Sequence, residues 1–234
     1  MDVSVALRRV ENLLRDTFQN ELAKRLGSDW IADCGVSNER IEKRKRRALE
    51  DQQKREHCDP RLIDYADFYD LKTIARKNWI NGISDIFEDL RELECLLGIL
   101  EELRNPDAHR REFLSFESSL ATGISGRIRS KITGYYSRID TGNSCYPRIE
   151  FAQDSLGNSY LIGGGRSIES QGTIRAGDHV HFKIVASDPL GQDLEYLVIP
   201  KALSCISQPG DKMIWNQTGE FSFEILEEYV RRSF

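Results

Sequence analysis

Long apolar runs are missing from this chain of 234 residues, and no segment approaches the roughly 20 apolar residues that a membrane-spanning helix needs. The first residues carry charges throughout, which predicts an amphipathic helix rather than a signal peptide. We therefore expect a cytoplasmic protein with no membrane partner. An excess of basic residues is also missing, because 33 Lys and Arg face 38 Asp and Glu. The composition thus gives no general sign of nucleic-acid binding, although it leaves local basic patches open.

Metal-ligand spacing is lacking as well. The five cysteines are widely spaced and form no C-x-x-C pair, which predicts free thiols in a reducing compartment: Cys34, Cys58, Cys95, Cys145 and Cys205. His179 and His181 alternate along a predicted strand, where a solvent-facing pair is a commoner arrangement than a metal site without a third ligand. The glycine run 163–165 matches no phosphate-binding fingerprint. We expect neither a metal nor a cofactor.

The first part of the chain has helical periodicity. Apolar residues recur at steps of three and four in the opening segment, at Leu7, Val10, Leu14, Phe18 and Leu22. The same kind of pattern, with its stop signals, predicts helices over 3–26, 38–56, 69–79, 83–103 and from about 107 to 136. The segment 83–103 is the most apolar of these, and we expect it at the centre of a bundle.

Alternation replaces helical periodicity near residue 140. Short apolar-polar runs around 149–151, 160–162, 180–184, 194–198 and 221–225 are separated by turn residues, a rhythm typical of a β-sandwich. The sequence therefore predicts an α + β protein of two domains. An all-α helical bundle would span 1–139, and an all-β sandwich, loosely similar to immunoglobulin-like modules, would span 140–234.

The strongest chemical signal is the hexapeptide Arg104-Asn105-Pro106-Asp107-Ala108-His109. Pro106 pushes the residue before it out of helical geometry, so Arg104 should end one helix and His109 should lie near the start of the next. Arginine offers forked donors that suit phosphate, and histidine exchanges protons near neutral pH. These are the parts needed to cleave RNA without a metal. The spacing alone equally fits a surface cation near a helix end and a histidine in a first helical turn.

Residues 1–135 resemble a HEPN domain (higher eukaryotes and prokaryotes nucleotide-binding), of the subgroup found in a nuclear RNA-surveillance endonuclease and in bacterial conflict-system proteins. The resemblance rests on the order of the opening helix with Gly27-Ser28-Asp29-Trp30, then Leu62-Ile63-Asp64-Tyr65-Ala66-Asp67-Phe68-Tyr69-Asp70-Leu71 with Lys77-Asn78-Trp79, then Leu103-Arg104-Asn105-Pro106-Asp107-Ala108-His109.

The resemblance implies a helical homodimer whose two chains line one cleft, with Arg104, Asn105 and His109 as the catalytic positions. It further implies RNA as substrate, cleaved without metal to 2′,3′-cyclic phosphate ends. We expect an effector of antiphage defence or of a toxin–antitoxin system, whose β-sandwich contacts a protein partner or trigger. The alternative is a HEPN dimer without catalysis that binds nucleotide or protein.

The basic segment 39–56 also has two interpretations. It can be a basic surface that binds the RNA backbone beside the cleft. The interspersed acidic residues favour a solvated helix face that carries i,i+4 ion pairs. Asp107 is interpreted as a cap of the following helix rather than as a catalytic group.

Overall fold

The computed structural model describes residues 3–54, 61–104, 113–142, 146–163, 174–198 and 214–227. The chain divides into two compact units, Met1–Ser144 and Cys145–Phe234. The described helices lie in the first unit and the described strands form antiparallel ladders in the second, which confirms the mixed α and β character. None of the described helices has both the length and the apolar character needed to cross a membrane.

Six α-helices are described in the first unit: α1 (Val3–Leu26), α2 (Asn38–Lys54), α3 (Phe68–Lys77), α4 (Ile83–Phe87), α5 (Leu90–Leu103) and α6 (Ser115–Thr141). The predicted stripe of α1 is confirmed, because all five of its apolar residues are buried. Gly27 ends this helix with a φ of +91°, a conformation that glycine adopts at little cost. α1 packs against α6, and α3 packs against α5.

The prediction of a single helix over 83–103 is wrong, because the structure has two helices in this segment. Glu88 takes a φ of +62°, and Asp89 then caps α5 by accepting hydrogen bonds from the N–H groups of Arg91 at 2.8 Å and Glu92 at 3.3 Å. A carboxylate that satisfies the free donors of a first turn starts a new helix where apolar periodicity alone predicts a continuous one.

The helix predicted from about 107 begins later, at Ser115. Leu114 is extended, and the buried Glu117 side chain accepts a hydrogen bond from its N–H at 2.9 Å, so the helix is capped at this point. Residues 105–112 lie outside the described residues, and so does the predicted cap at Asp107. α6 continues through Thr141, five residues beyond the end predicted near 136.

The second unit contains β1 (Arg148–Asp154), β2 (Ser159–Leu161), β3 (His179–Ser187), β4 (Tyr196–Val198), β5 (Ile214–Asn216) and β6 (Glu220–Glu224). Four strands form an antiparallel sheet in the order β2-β1-β3-β6, and β4 pairs with β5 in a separate ladder. Five of these strands overlap the predicted alternating runs, whereas the sequence predicts no strand at the position of β5.

The alternation predicted for β1 fails at its start. Ile149 is exposed and Glu150 is buried, the reverse of what an apolar-inward pattern predicts. The pairing register with β3 shifts by one residue between Ile149 and Phe151. An extra residue in one strand moves the following side chains to the opposite face, which explains the reversal.

Candidate functional site

Arg104 lies at the C-terminal end of α5, where its N–H donates to the carbonyl of Leu100 at 3.0 Å. The end of the helix follows from the sequence, because Pro106 comes two residues later and disfavours helical geometry in the residue before it. Asn105 and His109 lie outside the described residues. The geometry of the candidate site is therefore the geometry around Arg104.

The guanidinium of Arg104 is held from two sides. Its Nη1 donates a hydrogen bond to Oε1 of Glu11 in α1. Its Cζ lies 5.8 Å from the centre of the Phe68 ring, within range of a cation–π interaction. The side chain nevertheless remains 39% exposed. Arg104 is thus a fixed cation that still faces solvent.

Glu11 is buried and shared by two arginines. Nη2 of Arg15, one helical turn further along α1, lies 2.9 Å from the same oxygen that Arg104 contacts. Arg15 is itself anchored, because its Nε and Nη2 donate to the carbonyl of Ala66 at 3.0 and 2.5 Å. Burial raises the pKa of Glu11, and the charges of Arg15 and Arg104 partly offset that rise.

A second ion cluster fixes the first turn of α3, next to Phe68. Asp67 caps α3 by accepting from the N–H of Asp70 at 2.9 Å. The buried carboxylate of Asp70 accepts from Nε of Arg40 at 2.6 Å and also contacts Nη2 of Arg44. Arg40 reaches Asp67 as well, at 2.8 Å. The start of α3 is therefore tied to α2 through both acidic residues.

A third cluster ties α1 to the segment before α3. Nη2 of Arg61 lies 2.6 Å from Oδ1 of Asp16 and 2.6 Å from Oδ1 of Asp64. Burial raises the pKa of Asp16, and the hydrogen bond from Arg61 opposes that rise. Asp16 makes no described contact with Arg104. Like Glu11, it is a buried carboxylate of α1, but its arginine partner is Arg61.

The structure brings Arg104 together with three residues that the sequence analysis did not name as site residues: Glu11, Arg15 and Phe68. A signal for Glu11 was present in the sequence. It lies four residues after Leu7 and three before Leu14, so the helical spacing places a carboxylate on the inward face of α1. A buried carboxylate requires cationic partners, but the sequence does not identify them.

The basic segment of α2 fits neither sequence interpretation completely. Arg40 and Arg44 pair with acidic residues of α3 rather than within their own helix. One ion pair within α2 is described, between Lys45 and Glu42 at 2.8 Å. Most of the other cations on this helix are exposed. The first turns of α2 are thus held to the start of α3 by ion pairs.

His179 and His181 are exposed on β3 while Val180 between them is buried, so the predicted solvent-facing arrangement is confirmed. Over the described ranges, no group of three or more His, Cys, Asp or Glu residues could hold a metal ion. The described cysteines, Cys34 and Cys95, are free thiols.

Comparison of the chain with models of known protein families, with curated proteins and with solved structures found no match.

Proposed function

We propose that this protein is a metal-independent endoribonuclease of the HEPN type, acting as a homodimer whose two helical units form one cleft. In this proposal Arg104, Asn105 and His109 are the catalytic residues, and the products carry 2′,3′-cyclic phosphate ends. The biological role would be that of an effector in antiphage defence or in a toxin–antitoxin system.

The observation that supports the proposal best is the state of Arg104. Its guanidinium is fixed by Glu11 and by the ring of Phe68, yet 39% of the side chain faces solvent. A cation held in place before the substrate arrives stabilises charge that develops in the transition state without a further reorganisation cost. A surface arginine that served solubility alone would not need two partners in the core.

The proposed reaction balances without a metal. A base removes the proton of the ribose 2′-hydroxyl, and that oxygen attacks the adjacent phosphorus. The bond from phosphorus to the 5′-oxygen breaks, and the leaving oxygen takes up a proton. In this scheme His109 moves protons, Arg104 stabilises the phosphoryl charge, and Asn105 orients a reacting group. DNA lacks the 2′-hydroxyl and would not be cut.

For the second unit we propose an immunoglobulin-like recognition role. The described part contains a four-stranded antiparallel sheet and a separate two-stranded ladder, elements that are compatible with such a module. We propose that this unit binds a protein partner or trigger that controls the nuclease.

A second candidate function is a HEPN dimer without catalysis that binds nucleotide or protein in the same cleft. The observation in its favour is the ion pair between Arg104 and Glu11, since an arginine that serves only to hold the helices together would show the same contact.

RNA cleavage in the presence of EDTA separates the two candidates. The purified full chain is incubated with mixed RNAs, alongside His109→Ala and the matched control His181→Ala, whose side chain is exposed on β3. We expect the wild type and His181→Ala to cut RNA and His109→Ala to lose activity by roughly a hundredfold or more. The cut ends should carry cyclic phosphate by mass spectrometry.

Intact RNA with the wild type, or equal cutting by His109→Ala, would contradict the ribonuclease proposal. Assembly provides an independent check, by analytical ultracentrifugation of the full chain. A strictly monomeric protein would remove the shared cleft on which the mechanism depends.

A further inference from the structure

We infer that Glu11 is a positioning residue that sets the orientation of the Arg104 guanidinium for an RNA phosphate, while Arg15 anchors the Glu11 carboxylate. The inference rests on the ribonuclease function proposed above. It concerns a residue of α1, nearly a hundred positions before the hexapeptide in the sequence.

The geometry gives Glu11 control over Arg104. The carboxylate is only 2% exposed, so its own position is fixed by the packing of α1. Nη1 of Arg104 donates to one oxygen of this group. A hydrogen bond between charged groups is directional as well as strong, so it restrains the plane of the guanidinium. The Phe68 ring, 5.8 Å from Cζ, limits movement on another side.

Arg15 anchors the Glu11 carboxylate. A buried carboxylate that loses its only cation is strongly destabilising. Here Oε1 of Glu11 also lies 2.9 Å from Nη2 of Arg15. Arg15 is better buried than Arg104, with 13% of its side chain exposed against 39%. The half-exposed Arg104 therefore offers donors to a ligand while it remains on Glu11, and Arg15 anchors the carboxylate.

This arrangement predicts opposite effects on binding and on rate. Glu11→Gln keeps the shape of the side chain but removes its negative charge. Arg104 would then attract phosphate at least as well in the ground state, because a competing anion is gone. The Arg104 guanidinium would no longer be oriented toward the phosphoryl group in the transition state. Loss of stabilisation that acts only in the transition state lowers kcat.

The experiment compares Glu11→Gln with Asp16→Asn in the full chain. Asp16 is the matched control, because it is a buried carboxylate on the same helix that pairs with Arg61 instead of Arg104. Steady-state cleavage supplies kcat and KM. Binding of a 2′-O-methylated RNA, which lacks the attacking hydroxyl, supplies an affinity that is independent of chemistry.

We expect kcat of Glu11→Gln to fall by about tenfold or more, since small misplacements of a positioned group are costly to the rate. Its KM and its Kd for the methylated RNA should stay at or below the wild-type values. Asp16→Asn should retain kcat within about twofold. An unchanged kcat in Glu11→Gln, a raised Kd, or an equal loss in Asp16→Asn would overturn the inference.

Glu11→Asp covers the case in which Glu11→Gln does not fold. It keeps a negative charge beside Arg15 and Arg104, while the shorter side chain withdraws the carboxylate from both guanidinium groups. We again expect a lower kcat without a higher Kd. Wild-type kcat in this variant would mean that the contact with Arg104 does not matter for the reaction.

Unfolding measurements test the contact without reference to activity. A double-mutant cycle of Glu11→Gln with Arg104→Gln should show non-additivity of about fivefold or more in the unfolding equilibrium constant, whereas Asp16→Asn with Arg104→Gln should be additive. Additivity in the first cycle overturns the inference. If the coupling is present and the wild type cuts no RNA, the ribonuclease proposal fails while Glu11 still fixes Arg104.

Discussion

Asp70 provides the sharpest stability prediction, because its carboxylate is 2% exposed and neutralises an arginine that is 3% exposed, Arg44. In the described part of the chain, none of the three guanidinium nitrogens of Arg44 makes a hydrogen bond of regular geometry, and Asp70 is its ion-pair partner through Nη2. Asp70→Ala would leave this guanidinium buried without a counter-charge. Removing one partner of a buried ion pair costs about 3–5 kcal/mol.

The contribution of Arg40 to this loss should be small. Its side chain is 40% exposed, and its Nη2 keeps a 2.8 Å contact with Asp67 when Asp70 is removed. Exposed pairs contribute about 0–1 kcal/mol. We therefore expect Arg40→Gln to destabilise by at most about 1 kcal/mol, well below the effect of Asp70→Ala.

Urea unfolding followed by far-ultraviolet circular dichroism is the assay, since the described helices all lie in the first unit. With a slope of about 2 kcal/mol/M, Asp70→Ala should lower the unfolding midpoint by roughly 2 M. The control is Arg44→Met with Asp70→Leu, which replaces both charges by apolar groups and should recover most of the loss. A cost below about 1 kcal/mol for Asp70→Ala, or no recovery in the control, would refute the reasoning.

Three further predictions concern other parts of the chain. Burial and a 2.7 Å hydrogen bond to Glu21 raise the pKa of Tyr135 from 10.0 to about 12. Its stabilising contribution should be complete below pH 10 and disappear as the pH rises through about 12, so urea unfolding of the wild type should lose stability there more steeply than that of Tyr135→Phe. Asp89→Ala removes the cap of α5 and should cost about 1 kcal/mol in urea unfolding, whereas an unchanged midpoint would contradict the capping role. Gly219→Ala would place a Cβ 2.2 Å from the carbonyl oxygen of Ile184, so hydrogen exchange across β3 should accelerate, and unchanged exchange would contradict the clash.

The helical part of the fold could be predicted where one physical signal dominated. The stripe of α1 from Leu7 to Leu22 is buried as its spacing predicts. The prediction failed where a local polar group competed with periodicity, as at Asp89, whose side chain starts a new helix. It also failed at Glu150, because a bulge in β1 depends on pairing with β3 and leaves no trace in the sequence of β1 alone.

The candidate site could be predicted only in part for a similar reason. The position of Arg104 at a helix end follows from Pro106, two residues later. Its contact with Glu11 joins residues that lie far apart in the sequence, and such a pairing is fixed by the packing of α1, α3 and α5 together. The sequence indicates that Glu11 faces inward, but several arginines were available as its partner.

The start of α3 links the stability of the bundle to the geometry of Arg104. Phe68 lies under the Arg104 guanidinium, and the same helical turn contains Asp70, which holds α2. The carbonyl of Ala66, just before this turn, holds Arg15 and through it Glu11. A change at Asp70 should therefore disturb both groups that fix Arg104, although Asp70 does not contact it. In the proposed nuclease, Asp70→Ala should consequently lower kcat even below the urea concentrations at which the protein unfolds, whereas Arg40→Gln should not.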